Sequence, residues 1–384
     1  MGIGKLTWLQ ELMYDVREKV SNNDPECNDG IEELANLNFL EMLSITNLQN
    51  VNDPVDAERA NLKGKQNLYQ LELYWQCGET EEDLSKRWWD EKSCNFQVFE
   101  ALQPPSSLTY LQIQKFMGRE LPAWMCDPSG SLVNLEHLVL QNCKGMKQLP
   151  AAIRELPRLW RLELEGMSMR SLNIGGFPSL TRLDLTDMLA LEELRDSHPS
   201  CLRDLNINGC KSLREIPALP RLMSLVLEKV SNNLVSSVGR SQTSLTQLFL
   251  ENIEELIYFP LSILVNNCNL RILQVETCNQ FEGFAINDDE NESVAPLLAP
   301  EHYSGFQNLE LIGCPVLKFL PDLRGWTSLE RLVIFNCPQV EESLTYDLKS
   351  ISFLKLLFVD YIQEREQQRG YPLLYTDLIS LVDY

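Results

Sequence analysis

One phrase, L-x-x-L-x-L, recurs along this chain and constrains the fold more than any other feature of the sequence. Aligned on its second leucine, it falls at Leu12, Leu43, Leu71, Leu111, Leu138, Leu162, Leu183, Leu205, Leu225, Leu248, Leu273, Leu309, Leu332 and Leu357. Most neighbours stand 20 to 31 residues apart, the span of a unit that packs one strand and one return segment, while two gaps of 40 and 36 residues are longer. Within a unit, as in "HLVLQ" or "RLELE", apolar and polar residues alternate with period 2. That pattern predicts a short strand with its leucines inward and the intervening side chains outward. Each buried leucine contributes roughly 1.5 to 3 kcal/mol only if neighbouring units cover it, so no unit should fold alone.

The fold class expected is an α/β repeat, a leucine-rich-repeat solenoid or horseshoe with a parallel β-sheet on its concave side and an irregular or short-helical convex side. The array of about fourteen units is expected over 1–361, with long loops near 76–107 and 277–305 and a C-terminal cap or tail over 362–384. The loop stretches "QCGETEEDLSKRWWDEKSCNFQVF" and "NQFEGFAINDDENESVAPLLAPEHYSG" are too long for plain returns and read as variable or disordered excursions.

Five of the eleven cysteines, Cys143, Cys210, Cys278, Cys314 and Cys337, stand five residues after an aligned leucine. There the chain should turn inward after its strand. Cysteine is small, buries readily and is a weak donor, so it can fill that bend and touch a neighbouring backbone carbonyl. Met167, Met188, Val230 and Ile253 fill the same position in other units and none ligates zinc, so these thiols read as core. The three histidines, His137, His198 and His302, are far apart and no C-x-x-C pair occurs, which leaves a metal site without support. No Ser, His and Asp arrangement stands out, and the chain is expected not to be an enzyme.

Lys plus Arg total 33 against 55 Asp plus Glu, a formal charge of −22. That balance argues against nucleic acid or an anionic membrane as the main partner and favours basic ones. The N-terminal stretch lacks an apolar secretion signal, and no run of about 18 apolar residues offers a membrane anchor.

The informative surface is the outward face of the sheet. Glu163, Glu165, Asp184, Asp187, Asp204, Glu228, Glu251 and Glu276 are expected to form a negative stripe through the middle units, partly balanced by Arg161, Arg182 and Lys229. The bland reading is that these acids merely solvate the sheet. Aromatic side chains mark both ends of that face: Tyr74, Trp75 and Tyr110 early, then Phe335, Phe358 and Tyr361 late. They are expected to serve as interface anchors rather than to pack on the loops.

The phrases "LVLQNCKGMKQLP", "LNINGCKSLREIP", "LELIGCPVLKFLP" and "LVIFNCPQV" resemble the leucine-rich repeats of plant coiled-coil nucleotide-binding leucine-rich-repeat (NB-ARC) disease-resistance proteins. So do "GIGKLTWLQEL", "GIEELANLNFLEMLSITNLQNV", "AERANLKGKQNLYQLELYW", "VFEALQPPSSLTYLQI" and "GRELPAWM", in that order. The resemblance implies a recognition and autoregulatory domain that senses a pathogen or pest effector, or a guarded host protein, and restrains its own nucleotide-binding and coiled-coil domains in the cytoplasm or nucleus. The acidic stripe is the first candidate for that internal contact. The resemblance also implies earlier repeats, so the chain is expected to begin inside the array. "GIGK" has Leu6 where a phosphate loop needs Ser or Thr, so ATP or ADP is expected only in a missing upstream module and no cofactor in this chain. Other readings are a stand-alone protein-interaction scaffold, a ubiquitin-ligase substrate receptor, which should carry an F-box, and a cell-surface ectodomain, which should carry a signal peptide, recurring asparagines and several sequons.

Overall fold

A computed structural model describes residues 2–18, 30–76, 92–197, 200–284, 305–320, 326–340 and 354–360. The anticipated 362–384 cap, Tyr361, His198, His302 and, within the two long loops, residues 77–91 and 285–304 lie outside the described residues.

The strands, in chain order, are β1 (Glu11–Asp15), β2 (Met42–Thr46), β3 (Gln70–Tyr74), β4 (Tyr110–Gln114), β5 (His137–Gln141), β6 (Arg161–Glu165), β7 (Ser171–Asn173) and β8 (Arg182–Thr186). They continue as β9 (Glu193–Arg195), β10 (Asp204–Asn208), β11 (Ser224–Glu228), β12 (Gln247–Glu251), β13 (Ile272–Glu276), β14 (Asn308–Ile312), β15 (Arg331–Phe335) and β16 (Leu356–Asp360). All but β7 and β9 form one parallel 14-stranded sheet in sequence order, and β7 and β9 pair separately on the flank.

Register follows the leucines. Leu138 faces Leu162, which faces Leu183, then Leu205, Leu225 and Leu248, so the aligned positions stack rung upon rung. The leucine or isoleucine two residues further on stacks beside them, and both rows are buried, as at Leu183, Leu185, Leu248 and Leu250. On the last described rung Leu357 is 47% exposed, and among the described strands β15 alone pairs with it.

Four residues after the aligned leucine the chain leaves the sheet through a left-handed turn. Asn47, Lys115, Asn142, Gly166, Asp187, Gly209, Lys229, Asn252, Thr277, Gly313 and Asn336 all have φ between 49° and 68° there. Asn, Asp and Gly tolerate this region best, which accounts for their recurrence at the position. The turn residue still completes the ladder: Asn142 N–H donates to the Glu165 carbonyl at 2.7 Å and Asp187 N–H to the Asn208 carbonyl at 2.8 Å.

The next residue is driven inward, and there the cysteines sit fully buried as expected. Each thiol reaches the rung before it. Cys143 Sγ is 3.6 Å from the Ile113 carbonyl, Cys210 3.7 Å from Leu185, Cys314 3.8 Å from Val275 and Cys337 3.5 Å from Leu311. Burial pushes the Cys210 and Cys278 thiols up to about 11, the behaviour of packed rather than reactive sulfur.

Short helices line the convex side: α1 (Pro54–Arg59), α2 (Cys94–Ala101), α3 (Ala151–Arg154), α4 (Asn232–Ser241) and α5 (Ser262–Asn266). The first long loop is thus partly corrected. Ser93 caps α2 by accepting a hydrogen bond from Phe96 N–H, and Phe96, Val98 and Phe99 anchor the helix in the core.

Candidate recognition face

Three outward rows run across the concave sheet, one residue before, one after and three after each aligned leucine. Successive rungs lie roughly 4.8 Å apart, so neighbours within a row touch.

The early aromatics divide. Tyr74 is half-buried and its hydroxyl donates to Glu72 Oε2 at 2.8 Å; burial first, then Glu72, raises its phenol well above the ordinary value. Tyr110 donates to Gln112 Oε1 at 2.8 Å and meets His137 edge-on at 4.8 Å; burial, Glu72 and Glu163 push its phenol up to about 12. Trp75 is not on this face. It is 2% exposed and packs against Phe99 at 5.1 Å and Phe116 at 5.2 Å. The reason is parity: it stands four residues after Leu71, an inward offset, and its rung lacks the left-handed turn. Trp75 N–H instead extends the ladder to the Gln114 carbonyl at 3.1 Å.

The centre of the face, over β5, β6 and β8, is a matched network rather than a stripe. Glu163 Oε1 meets His137 Nε2 at 2.7 Å and the Arg161 guanidinium at 2.8 Å. Arg161 Nε also reaches Asp184 Oδ2 at 3.3 Å, and Arg182 Nε reaches the same oxygen at 3.1 Å. The His137 hydrogen bond, outweighing burial and joined by Arg161, holds the Glu163 carboxyl below its usual range. Glu165 accepts from Gln141 at 3.1 Å. Asp204 is raised by burial, with Arg182 and Arg203 opposing and Asp184 adding to the rise. Asp187 belongs to none of these rows: it is the exposed left-handed turn residue of its rung.

Further along, Glu228, Glu251 and Glu276 face one another on three consecutive strands. Glu228 accepts from Asn208 at 2.6 Å and pairs with Lys229, and Glu276 accepts from Gln274 at 2.7 Å. Glu251 stands between them. Burial, then the charges of Glu228 and Glu276, raise its carboxyl, and Lys229 only partly opposes this.

At the far end Phe335 and Phe358 lie 6.0 Å apart on adjacent strands, the second 39% exposed. Sequence reasoning missed three contributors: Glu72, His137 in its ring contact, and Trp160, 42% exposed with its ring 6.5 Å from His137. His137 was findable, since it shares with Tyr110 the offset one before the leucine. Among the described residues no group of three or more His, Cys, Asp or Glu side chains is placed to hold a metal ion, and no helix is long and apolar enough to cross a membrane.

Parallel strands in leucine register, left-handed exits and buried returns define a leucine-rich-repeat solenoid. Residues 31–167 match the family described as R13L1/DRL21 LRRs. A putative disease resistance protein RGA1 from Solanum bulbocastanum is 30% identical over 71% of this chain and 27% of its own length. A putative disease resistance RPP13-like protein 1 from Arabidopsis thaliana is 27% identical over 83% of this chain and 31% of its own. The chain thus spans under a third of either relative. The solved Toll–Spatzle complex shares the fold at a TM-score of 0.50 and 14% identity, over 98% of this chain and 52% of that one. The chain belongs to the leucine-rich-repeat regions of plant nucleotide-binding leucine-rich-repeat disease resistance proteins.

Proposed function

We propose that this array is the recognition and autoregulatory part of an intracellular plant immune receptor. Its concave face takes a pathogen or pest effector, or a host protein that an effector alters, and the same face restrains the receptor's nucleotide-binding module. The observation that supports this most is the outward rows themselves: broad, continuous across fourteen strands, and carrying aromatic and charged side chains above a core that does not need them. A face that both partners share acts by competition. A ligand that binds the released state better shifts the population toward it, and the shift is limited by the difference in its affinity for the two states. Tyr74, Tyr110, Glu163, Glu165, Asp184, Asp204, Glu228, Glu251, Glu276, Phe335 and Phe358 are the contacts assigned to this face; Asp187 borders it.

Co-precipitation from plant cells tests the reading. The chain should capture the nucleotide-binding module of its full-length receptor, and Trp160→Ala with Tyr110→Ala should weaken capture while leaving the melting temperature within a few degrees. No capture, together with no effect of the chain on the receptor's activity, would exclude the autoregulatory role.

A further inference from the structure

On three consecutive rungs the residue after the left-handed exit is a cysteine, Cys278, Cys314 and then Cys337, and among the described residues this file of thiols has no second instance. Cys143 and Cys210 stand singly, with Phe116, Met167, Met188 and Val230 at the same offset on the rungs beside them. The position thus accepts bulky apolar residues, and packing alone does not ask for sulfur on neighbouring rungs. Register carries Cys314 and Cys337 past the ends of β14 and β15. Ile312 faces Phe335, Gly313 and Asn336 both take the left-handed turn, and Gly313 N–H donates to the Phe335 carbonyl at 2.8 Å. The two cysteines therefore enter the core from equivalent points one rung apart, both fully buried. One rung is roughly 4.8 Å, inside the roughly 4.4 to 6.8 Å that a disulfide spans between Cα atoms. Cys337 Sγ leans back onto the earlier rung, 3.5 Å from the Leu311 carbonyl. There the Cys314 thiol donates to it, and the backbone N–H groups of Cys314 and Gly313 lie against it. That donation lowers the Cys337 thiol, with burial opposing, while the same contact and then burial raise Cys314 and keep it protonated.

We propose that Cys314 and Cys337 form a redox modification site, a dithiol that hydrogen peroxide converts into a disulfide stapling the exit of β14 to that of β15. The site stands independently of the recognition reading above. Cys337, as thiolate, attacks one peroxide oxygen; the O–O bond breaks, Cys337 becomes a sulfenic acid, and the departing hydroxide takes up a proton as water. The Cys314 sulfur then attacks the Cys337 sulfur, the S–O bond breaks, and the Cys314 proton leaves with the hydroxyl as a second water. Two thiols have lost two electrons, and one peroxide has become two waters. Peroxide is small, and it enters as the late end of the array loosens, where Leu357 is 47% exposed on the last described rung. The new bond fixes Phe335, two residues before Cys337, so oxidation acts on the late aromatic end of the concave face.

The test treats the whole reduced chain with hydrogen peroxide, unfolds it in an alkylating reagent and maps its peptides by mass spectrometry. Peptides joined through Cys314 and Cys337 should appear about tenfold faster than oxidation of the buried Cys143 or Cys210. The melting temperature should rise by a few degrees, and dithiothreitol should reverse both changes. Cys337→Val places there the residue that the position holds at Val230, and it should abolish the link and leave Cys314 reduced. Cys314→Val should leave Cys337 as a sulfenic acid that dimedone traps once the chain is unfolded. Melting curves of the reduced variants establish that each is folded.

Oxidation of Cys143 and Cys210 at the same rate would mean that peroxide merely follows general loosening, and it would overturn the proposal. A link between Cys278 and Cys314, or Cys337 passing to the sulfonic acid without a link, would overturn it too, as would the absence of any link until the chain unfolds. If neither valine variant folds, the rate comparison and the peptide map of the unaltered chain decide the matter alone.

Discussion

The centre of the concave face and the three strands beyond it share one backbone geometry and differ in how they treat charge. Over β5, β6 and β8, Glu163 and Asp184 are each gripped by two basic side chains from the same and neighbouring rungs. Over β11 to β13, three glutamates stack on consecutive strands, and Lys229 pairs with the first of them. The difference teaches that the solenoid itself is indifferent to its outward rows. The leucines beneath carry the fold, and the surface above is free to be stabilising in one place and frustrated in another.

The core beneath the two regions should break equally. Leu185→Ala under the matched network and Leu250→Ala under the glutamate row should each cost about 2 to 5 kcal/mol in urea unfolding, since both are fully buried. A large inequality would mean that the backbone is not equivalent in the two places.

The surfaces should break differently. Arg161→Leu leaves Glu163 and the nearly buried Asp184 short of a partner and should destabilise by about 1 to 2 kcal/mol, discounted because the guanidinium is 29% exposed. Glu251→Gln should instead stabilise, by about 0.5 kcal/mol, through relief of like-charge contact.

The pH dependences should have opposite sign. The folded-state value of Glu163 is lowered, so its contribution is present above the ordinary glutamate range and is lost as pH falls through the lowered value. The penalty of Glu163→Gln should therefore be largest near neutral pH and shrink in acid. Glu251 is raised, so its charged form is the disfavoured one and the penalty lifts as pH falls through the raised value. The gain from Glu251→Gln should be greatest near neutral pH and vanish in acid. Unfolding curves of both variants against wild type at several pH values would show whether the two trends cross.

The smallest effect is ionic. Raising salt from about 0.05 to about 0.5 M shortens the screening length from roughly 14 to roughly 4 Å, and the advantage of Glu251→Gln should fall by ~0.3 kcal/mol. An advantage unchanged by salt would point to packing rather than charge.

How much of this was readable beforehand depended on whether one strand or two fixed the answer. The period-2 leucines set strand, face and register together, and the recurring offset of the cysteines placed them in the bend. Trp75 was legible and misread: counting parity from Leu71 puts it inward, as Phe99 and Phe116 then confirm. The pairing of Arg161 with Asp184 was not legible, because it joins one row of a strand to a different row of the next and depends on how a long side chain leans. For the same reason eight acids in sequence looked like one stripe, although they fall in separate rows: Glu163 faces Asp184 on one pair of strands, and Glu228, Glu251 and Glu276 face one another on three others.

The inward cysteines make the array its own reporter. Each sulfur is sealed between two rungs and hydrogen-bonded to backbone, so an alkylating reagent can reach it only when that part of the coil loosens. Labelling of Cys143 set against Cys210 and Cys337 would therefore time the breathing of the early, middle and late turns separately, within a single molecule and without an added probe.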